Sequence, residues 1–133
     1  MKFFIGQAVT GEDINNLYIE LEKIYKILDD KGHTYYSTLK ENEEKFQGKT
    51  KQEMMNHAFR EIDNSDASFA IVRSERKSEG MLMEIGYCLA NNKKIVLIIN
   101  KNVKGTYLRE LAENVIEYED SNDLIKQLSE VDL

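Results

Sequence analysis

The sequence predicts an α/β domain built on a five-stranded parallel sheet with strand order 2-1-3-4-5. Short apolar runs alternate with helical patterns along the whole chain, glycines and polar residues punctuate them, and 133 residues are enough for one domain with a buried core. Strands separated by helices make β-α-β units, whose right-handed crossovers give a parallel sheet covered on both faces.

Each element follows in order. Lys2 to Ile5 is a short apolar run closed by Gly6 and reads as the first strand. Ile14, Leu17, Tyr18, Leu21, Ile24, Tyr25 and Leu28 recur at three-four spacing and predict a helix that stops at Gly32. His33 to Tyr36 is the second strand. The charged stretch from Lys40 to Lys49 is assigned no regular structure and reads as a mobile flap. Thr50 and Glu53 fit a capping box, after which Met55, Ala58, Phe59 and Ile62 mark the inward face of a second helix. Ser68 to Arg73 is the third strand. Ser78 opens a helix in which Met81, Leu82, Ile85, Cys88 and Leu89 share a face, and Ile95 to Ile99 is a central strand. A short helix near Tyr107 to Ala112, a strand at Val115 to Tyr118 and a helix from Asp120 finish a three-layer domain of the flavodoxin-like or Rossmann-like kind, spanning residues 1–133.

Composition narrows the partners. The net charge of -6 and pI near 5.0 repel polyanions, so no nucleic-acid polymer is expected. Cys88 stands alone in an apolar helical pattern, which fits a reducing compartment and a buried small side chain. The apolar start Met1 to Gly6 is too short for a signal peptide, and no run approaches the ~20 apolar residues of a membrane span. The chain is therefore expected to be cytoplasmic, with no membrane partner. His33, His57 and Cys88 lack metal-ligand spacing, so no metal and no cofactor are expected.

In sheets of this order a ligand sits outside the carboxyl ends of strands one and three, where strand order reverses. Two segments then matter, Gly6 to Asp13 and Arg73 to Gly86. In GQAVTGED, Gly6 and Gly11 allow a tight turn and a close ligand approach beside Gln7 and Ala8. In RSERKSEGMLMEIGYCLA, Ser78 begins the helix, so its hydroxyl and the free N–H groups near Gly80 can hold a phosphate or sugar oxygen. Glu84 follows less than two turns later and interrupts an apolar run, where a partly desolvated carboxylate is costly unless it is used or paired. Gly86 leaves space beside it, and Arg73, Arg76 and Lys77 form a basic cluster that can attract an anion or simply be hydrated. Tyr35 and Tyr36 end strand two at the ligand edge, where either can stack on a base or serve packing.

The strand-one turn FFIGQAVTGED, the later run DASFAIV with SEGMLMEIGYCLA, and the strand KKIVLII together resemble the nucleoside 2-deoxyribosyltransferase superfamily, including its 2'-deoxynucleoside 5'-monophosphate N-glycosidase branch. The resemblance runs from Lys2 to about Leu128. It implies that Glu84 is a nucleophile attacking C1' of the sugar, that the base departs, and that water or a second base resolves a covalent glycosyl-enzyme. It also implies that Ser78, six positions earlier, belongs to the branch that binds a 5'-phosphate. The implied partner is thus a small nucleoside or nucleotide, and the implied assembly is a homodimer in which the region of Thr106, Tyr107 and Arg109 reaches a neighbour's pocket. Some helper positions of that family differ here. Its usual aspartate corresponds to Ala58, with His57 and Glu61 near enough in helical phase to stand in. Its strand-one tyrosine corresponds to Phe3, and the serine and arginine of its phosphate-binding turn correspond to Gln7 and Val9.

Those differences leave two other functional readings. One is a nucleotide-binding or sensing module that keeps the pocket without the chemistry. The other is a glutamate-dependent NAD-cleaving domain of the Toll/interleukin-receptor type.

Overall fold

A computed structural model of the chain describes residues 1–9, 11–40 and 47–133. Its elements are β1 (Lys2–Gln7), α1 (Ile14–Asp30), β2 (Thr34–Ser37), α2 (Lys51–Asp63), β3 (Ala67–Val72), α3 (Glu79–Ala90), β4 (Lys94–Asn100), α4 (Leu108–Leu111), β5 (Asn114–Tyr118) and α5 (Ser121–Glu130). All strands pair in parallel in the order β2-β1-β3-β4-β5, which is the topology expected from the alternation of apolar runs and helical patterns. Residues 41–46, the greater part of the expected flap, lie outside the described residues.

The period of two along each strand divides the core into two layers. Phe3 and Ile5 of β1 join Phe69 and Ile71 of β3 beneath α1 and α5, which contribute Leu17, Leu21, Ile24, Leu124 and Leu128. Phe4 and Ala8 join Ala70, Val72, Leu97 and Ile99 beneath α2 and α3, which contribute Ala58, Ile62, Met81, Ile85 and Cys88. The helix starts are fixed by side chains that accept otherwise orphaned N–H groups. Asp13 accepts from Asn15 and Asn16, Thr50 and Glu53 form the reciprocal box read from the sequence, and Ser78 accepts from Met81. Among the described residues no helix is long and apolar enough to cross a membrane.

Helical phase differs from the sequence reading at several edges. Ile14 and Tyr18 are exposed, and so are Leu82 and Leu89 of α3, because each helix presents only a narrow arc to the sheet. The room on α1 goes instead to Glu20, whose Oε1 accepts from Arg73 Nε at 2.9 Å and lies 2.8 Å from Nη2. Arg73 Nη1 also donates to Gln7 Oε1 at 2.7 Å. Arg73 is therefore a buried structural cation and not part of a hydrated loop cluster. Removing one partner of such a pair leaves a buried charge uncompensated. Glu20→Ala is expected to lower unfolding free energy by about 3 kcal/mol in urea denaturation, whereas Glu117→Ala, which frees the exposed Arg109 pair, should cost less than about 1 kcal/mol.

Candidate active site

Strand alternation turns Phe4, Gly6 and Ala8 toward α3, and the buried row Met81, Ile85 and Cys88 seats that helix on the sheet. Glu84 lies at the margin of this row. A Cβ placed on Gly6 would stand 2.9 Å from Glu84 Oε1, so the carboxylate rests directly on the strand where a side chain is missing. A side chain at position 6 would push the flexible end of Glu84 aside, so glycine here leaves the carboxylate its place against the strand.

The carboxylate is half-buried and makes no hydrogen bond or ion pair with any described residue. Burial alone lifts its pKa from 4.5 to about 7, because the charged form loses hydration and no described residue replaces it. Two spaces adjoin it. The inner crevice among Phe4, Gly6, Ser68, Phe69, Met81, Ile85 and Cys88 holds about 10 Å³, too little to admit more than a single water. The outer cavity holds about 130 Å³ between β2, α2 and α3, lined by Tyr36, Thr38, Met54, Met55, His57, Ala58 and Glu84. The outer side is the larger of the two spaces beside Glu84.

The opening turn lies between Glu84 and a cation. Gly11 has φ +83, and the space a Cβ would occupy there is filled by the Arg76 guanidinium, which lies across the turn. Arg76 forms no ion pair with a described acid. Ser78 caps α3 through its oxygen lone pair, accepting from Met81 N at 3.0 Å, and its own O–H remains a donor. Gly80 in the first turn faces the Met55 sulfur of the outer cavity.

The structure thus brings Gly6, Ala8, Gly11, Ser78, Gly80 and Glu84 to one end of the sheet and separates others from them. Gln7 points to the α1 face, where its amide oxygen is taken by Arg73, so its side chain does not face Glu84. Phe3 also points to the α1 layer, and the strand-one aromatic on the Glu84 side is Phe4. Tyr35 stacks on Tyr25 with centroids 4.7 Å apart, leaving Tyr36 alone of that pair on the outer cavity. Gly86 opens to solvent and is not beside the carboxylate. Lys77 turns back onto Glu75.

Some contributors were not singled out from the sequence. Phe4 was legible, since residues two apart on a strand share a face with Gly6. Thr38 and Met54 carried no local signal. Glu75 did not either: its carboxylate accepts from Lys104 N at 2.7 Å, which holds its pKa below the usual carboxylate range and joins the β3–α3 turn to the β4–α4 turn.

A family model described as nucleoside 2-deoxyribosyltransferase matches residues 11–121. No curated protein matches the chain. Among solved structures, a CMP N-glycosidase from Clostridium botulinum is similar at TM-score 0.72 and 20% identity, over 96% of this chain and 98% of that one. A 2-deoxyribosyltransferase from Bacillus psychrosaccharolyticus is similar at TM-score 0.65 and 18% identity, over 100% and 93%. A conserved protein from Enterococcus faecalis V583 is similar at TM-score 0.67 and 15% identity, over 96% of each chain. At these identities the likenesses show a shared fold.

The raised pKa of Glu84 has a consequence for stability. A carboxyl that binds its proton more tightly when folded favours the native state below pH 4.5, and that contribution is lost as pH rises through about 7. Glu84→Gln should match the parent protein at pH 4 and exceed it by up to about 3 kcal/mol at pH 8, since each tenfold change in proton affinity is worth about 1.4 kcal/mol. Chemical denaturation at both pH values checks this, and equal stabilities at pH 8 would mean the carboxylate is solvated.

Proposed function

The chain belongs to the nucleoside 2-deoxyribosyltransferase family, and from that premise we propose that it cleaves or transfers the N-glycosidic bond of a 2'-deoxynucleoside 5'-monophosphate or a deoxynucleoside, with Glu84 as nucleophile. The observation that carries this reading is the desolvated Glu84 carboxylate, unpaired among the described residues, lying on Gly6 at the wall of the outer cavity. A carboxylate stripped of water and of protein partners is poised to bond to an electron-poor carbon.

In the proposed reaction Glu84 attacks C1' as the bond to the base breaks, through an oxocarbenium-like transition state. The electron pair leaves with the base, and the sugar is held as a glycosyl ester until water or a second base displaces the carboxylate. One difficult displacement becomes two easier ones. The 5' end of the substrate points along the opening turn toward Arg76, the Ser78 hydroxyl and the orphan N–H groups of the first turn of α3. Glu79 in that same turn adds a negative charge, so the guanidinium is what makes a phosphate tolerable in an acidic chain. The Clostridium neighbour is named for a nucleoside monophosphate, which is consistent with this assignment. The same reading has the chain acting as a homodimer in which Tyr107, with 74% of its surface exposed, lies against a neighbouring copy.

Incubation with a panel of deoxynucleosides and nucleoside monophosphates, CMP included, followed by measurement of free base, tests the activity. Glu84→Ala should lose base release by at least about 1000-fold, and kcat/KM of the parent protein should rise with pH through about 7 as the carboxylate ionises. Equal release by both proteins would remove Glu84 from the mechanism. Nucleotide binding in calorimetry with no release would make the chain a sensing module, and nicotinamide release from NAD would make it an NAD-cleaving domain. Arg76→Gln should raise KM for a monophosphate by about tenfold or more while leaving that of the free nucleoside nearly unchanged, in line with the loss of one charge-assisted bond. Equal effects on both substrates would place the 5' end elsewhere.

A further inference from the structure

We propose that Glu75 is a positioning residue for a substrate's 5'-phosphate, fixing the backbone that aims Arg76 over the opening turn; the inference rests on the reading of Arg76 as the group that meets the phosphate. Two turns with unequal anchorage meet here. The β4–α4 turn, residues 101–107, is built into the protein. Val103 and, just beyond the turn, Leu108 are buried in the core layer beneath α3. Lys101 N donates to Tyr118 O at 2.9 Å, Val103 N donates to Asn100 O at 3.0 Å, and Arg109 Nη2 reaches that same carbonyl at 3.4 Å. The β3–α3 turn, residues 73–78, is held at its ends, by the bonds of Arg73 to Glu20 and Gln7 and by the Ser78 cap. Its middle residues, Glu75 and Arg76, are exposed.

The Glu75 side chain braces that middle against the better anchored turn. Its Oε1 accepts from Lys104 N at 2.7 Å and lies 3.5 Å from Gly105 N. Lys77 Nζ lies 3.8 Å from Oε2 and donates to the Glu75 carbonyl at 3.4 Å, so the acid is held from both sides. Arg76 follows at once in the chain, its own N–H donating to Ser74 Oγ at 3.2 Å, and its guanidinium crosses to Gly11. Fixing Glu75 therefore fixes the backbone from which Arg76 projects. A guanidinium already in place loses less freedom when an anion arrives, and the difference appears as affinity. The sign of the effect separates this role from plain electrostatics. As a charge alone, Glu75 beside an anion site repels a phosphate, and its removal would tighten binding. As a brace, its removal weakens binding.

Steady-state kinetics of Glu75→Ala, Glu75→Gln, Arg76→Gln and the double variant Glu75→Ala/Arg76→Gln test this. The ligands are a nucleoside monophosphate and its free nucleoside, of a base class that the parent protein releases, with either one measured as a competitive inhibitor where it is not cleaved. Glu75→Ala should raise the monophosphate KM or inhibition constant about fivefold, the cost of ordering one long side chain on binding, with kcat nearly unchanged and the nucleoside constant unmoved. Glu75→Gln keeps an oxygen that accepts from Lys104 N and should stay near the parent value. In the Arg76→Gln background Glu75→Ala should add no further rise, because both act through one guanidinium. A lower or unchanged monophosphate constant in Glu75→Ala, an equal rise for the nucleoside, a Gln variant as impaired as the Ala variant, or full additivity with Arg76→Gln overturns the role of Glu75 while leaving Arg76 in place. If Arg76→Gln itself shows no selective effect on the monophosphate, the placement of the 5' end and this proposal fall together. No base release by the parent protein from any substrate removes the reading of the site and the brace with it.

Discussion

A carboxylate laid against a strand backbone is the constraint around which the rest of this molecule is arranged. Glycine at position 6 leaves the Glu84 carboxylate room against the strand, and Met81, Ile85 and Cys88 fasten α3 to the sheet on either side of it. Desolvation raises the free energy of its charged form, and no described residue offers a compensating bond. A fold built for stability alone would place an apolar group there. The surplus needed to tolerate the acid comes from the fully buried strands β3 and β4, where Ile71, Val72, Ile98 and Ile99 are covered on both faces of the sheet.

The sheet separates structural from chemical polarity. On the α1 side the guanidinium of Arg73 pairs with Glu20 and donates to Gln7, a network that fixes the carboxyl end of β3 against α1. On the α3 side the polar groups are open: a glutamate with no partner among the described residues, a serine with a spare hydrogen, and a guanidinium lying on glycine. Two arginines in the same short turn therefore have opposite roles. Arg73 rigidifies the floor, and Arg76 lies over the mouth with no acidic partner among the described residues.

Most of the architecture was legible because it follows from periodicity. The strand order, the capping box at Thr50 and the N-cap at Ser78 all rest on local patterns that the tertiary structure keeps. The position of Glu84 beside the first strand was legible for a related reason, since a parallel sheet of this order brings β1 and β3 together and puts the following helix over their junction. What could not be read was direction. Gln7 and Phe3 lie one step out of phase with Gly6 and Phe4, and which face of β1 meets α3 is decided by the packing of two whole helical layers. Arg73 looked like a loop charge because its partner, Glu20, is distant in sequence and sits on a helix read as amphipathic. The stacking of Tyr35 on Tyr25 was hidden in the same way.

The bond from Glu75 to the backbone of Lys104 ties together two turns that the chain itself does not connect. Gly105 stands close against the same carboxylate, where a Cβ would come within 3.2 Å of it. One acid thus acts as a tether between the arm bearing Arg76 and Ser78 and the arm leading to Tyr107. The turn that carries Arg76 and Ser78 is thereby pinned to the turn ahead of α4 by a side chain, across a gap of 29 positions in the chain.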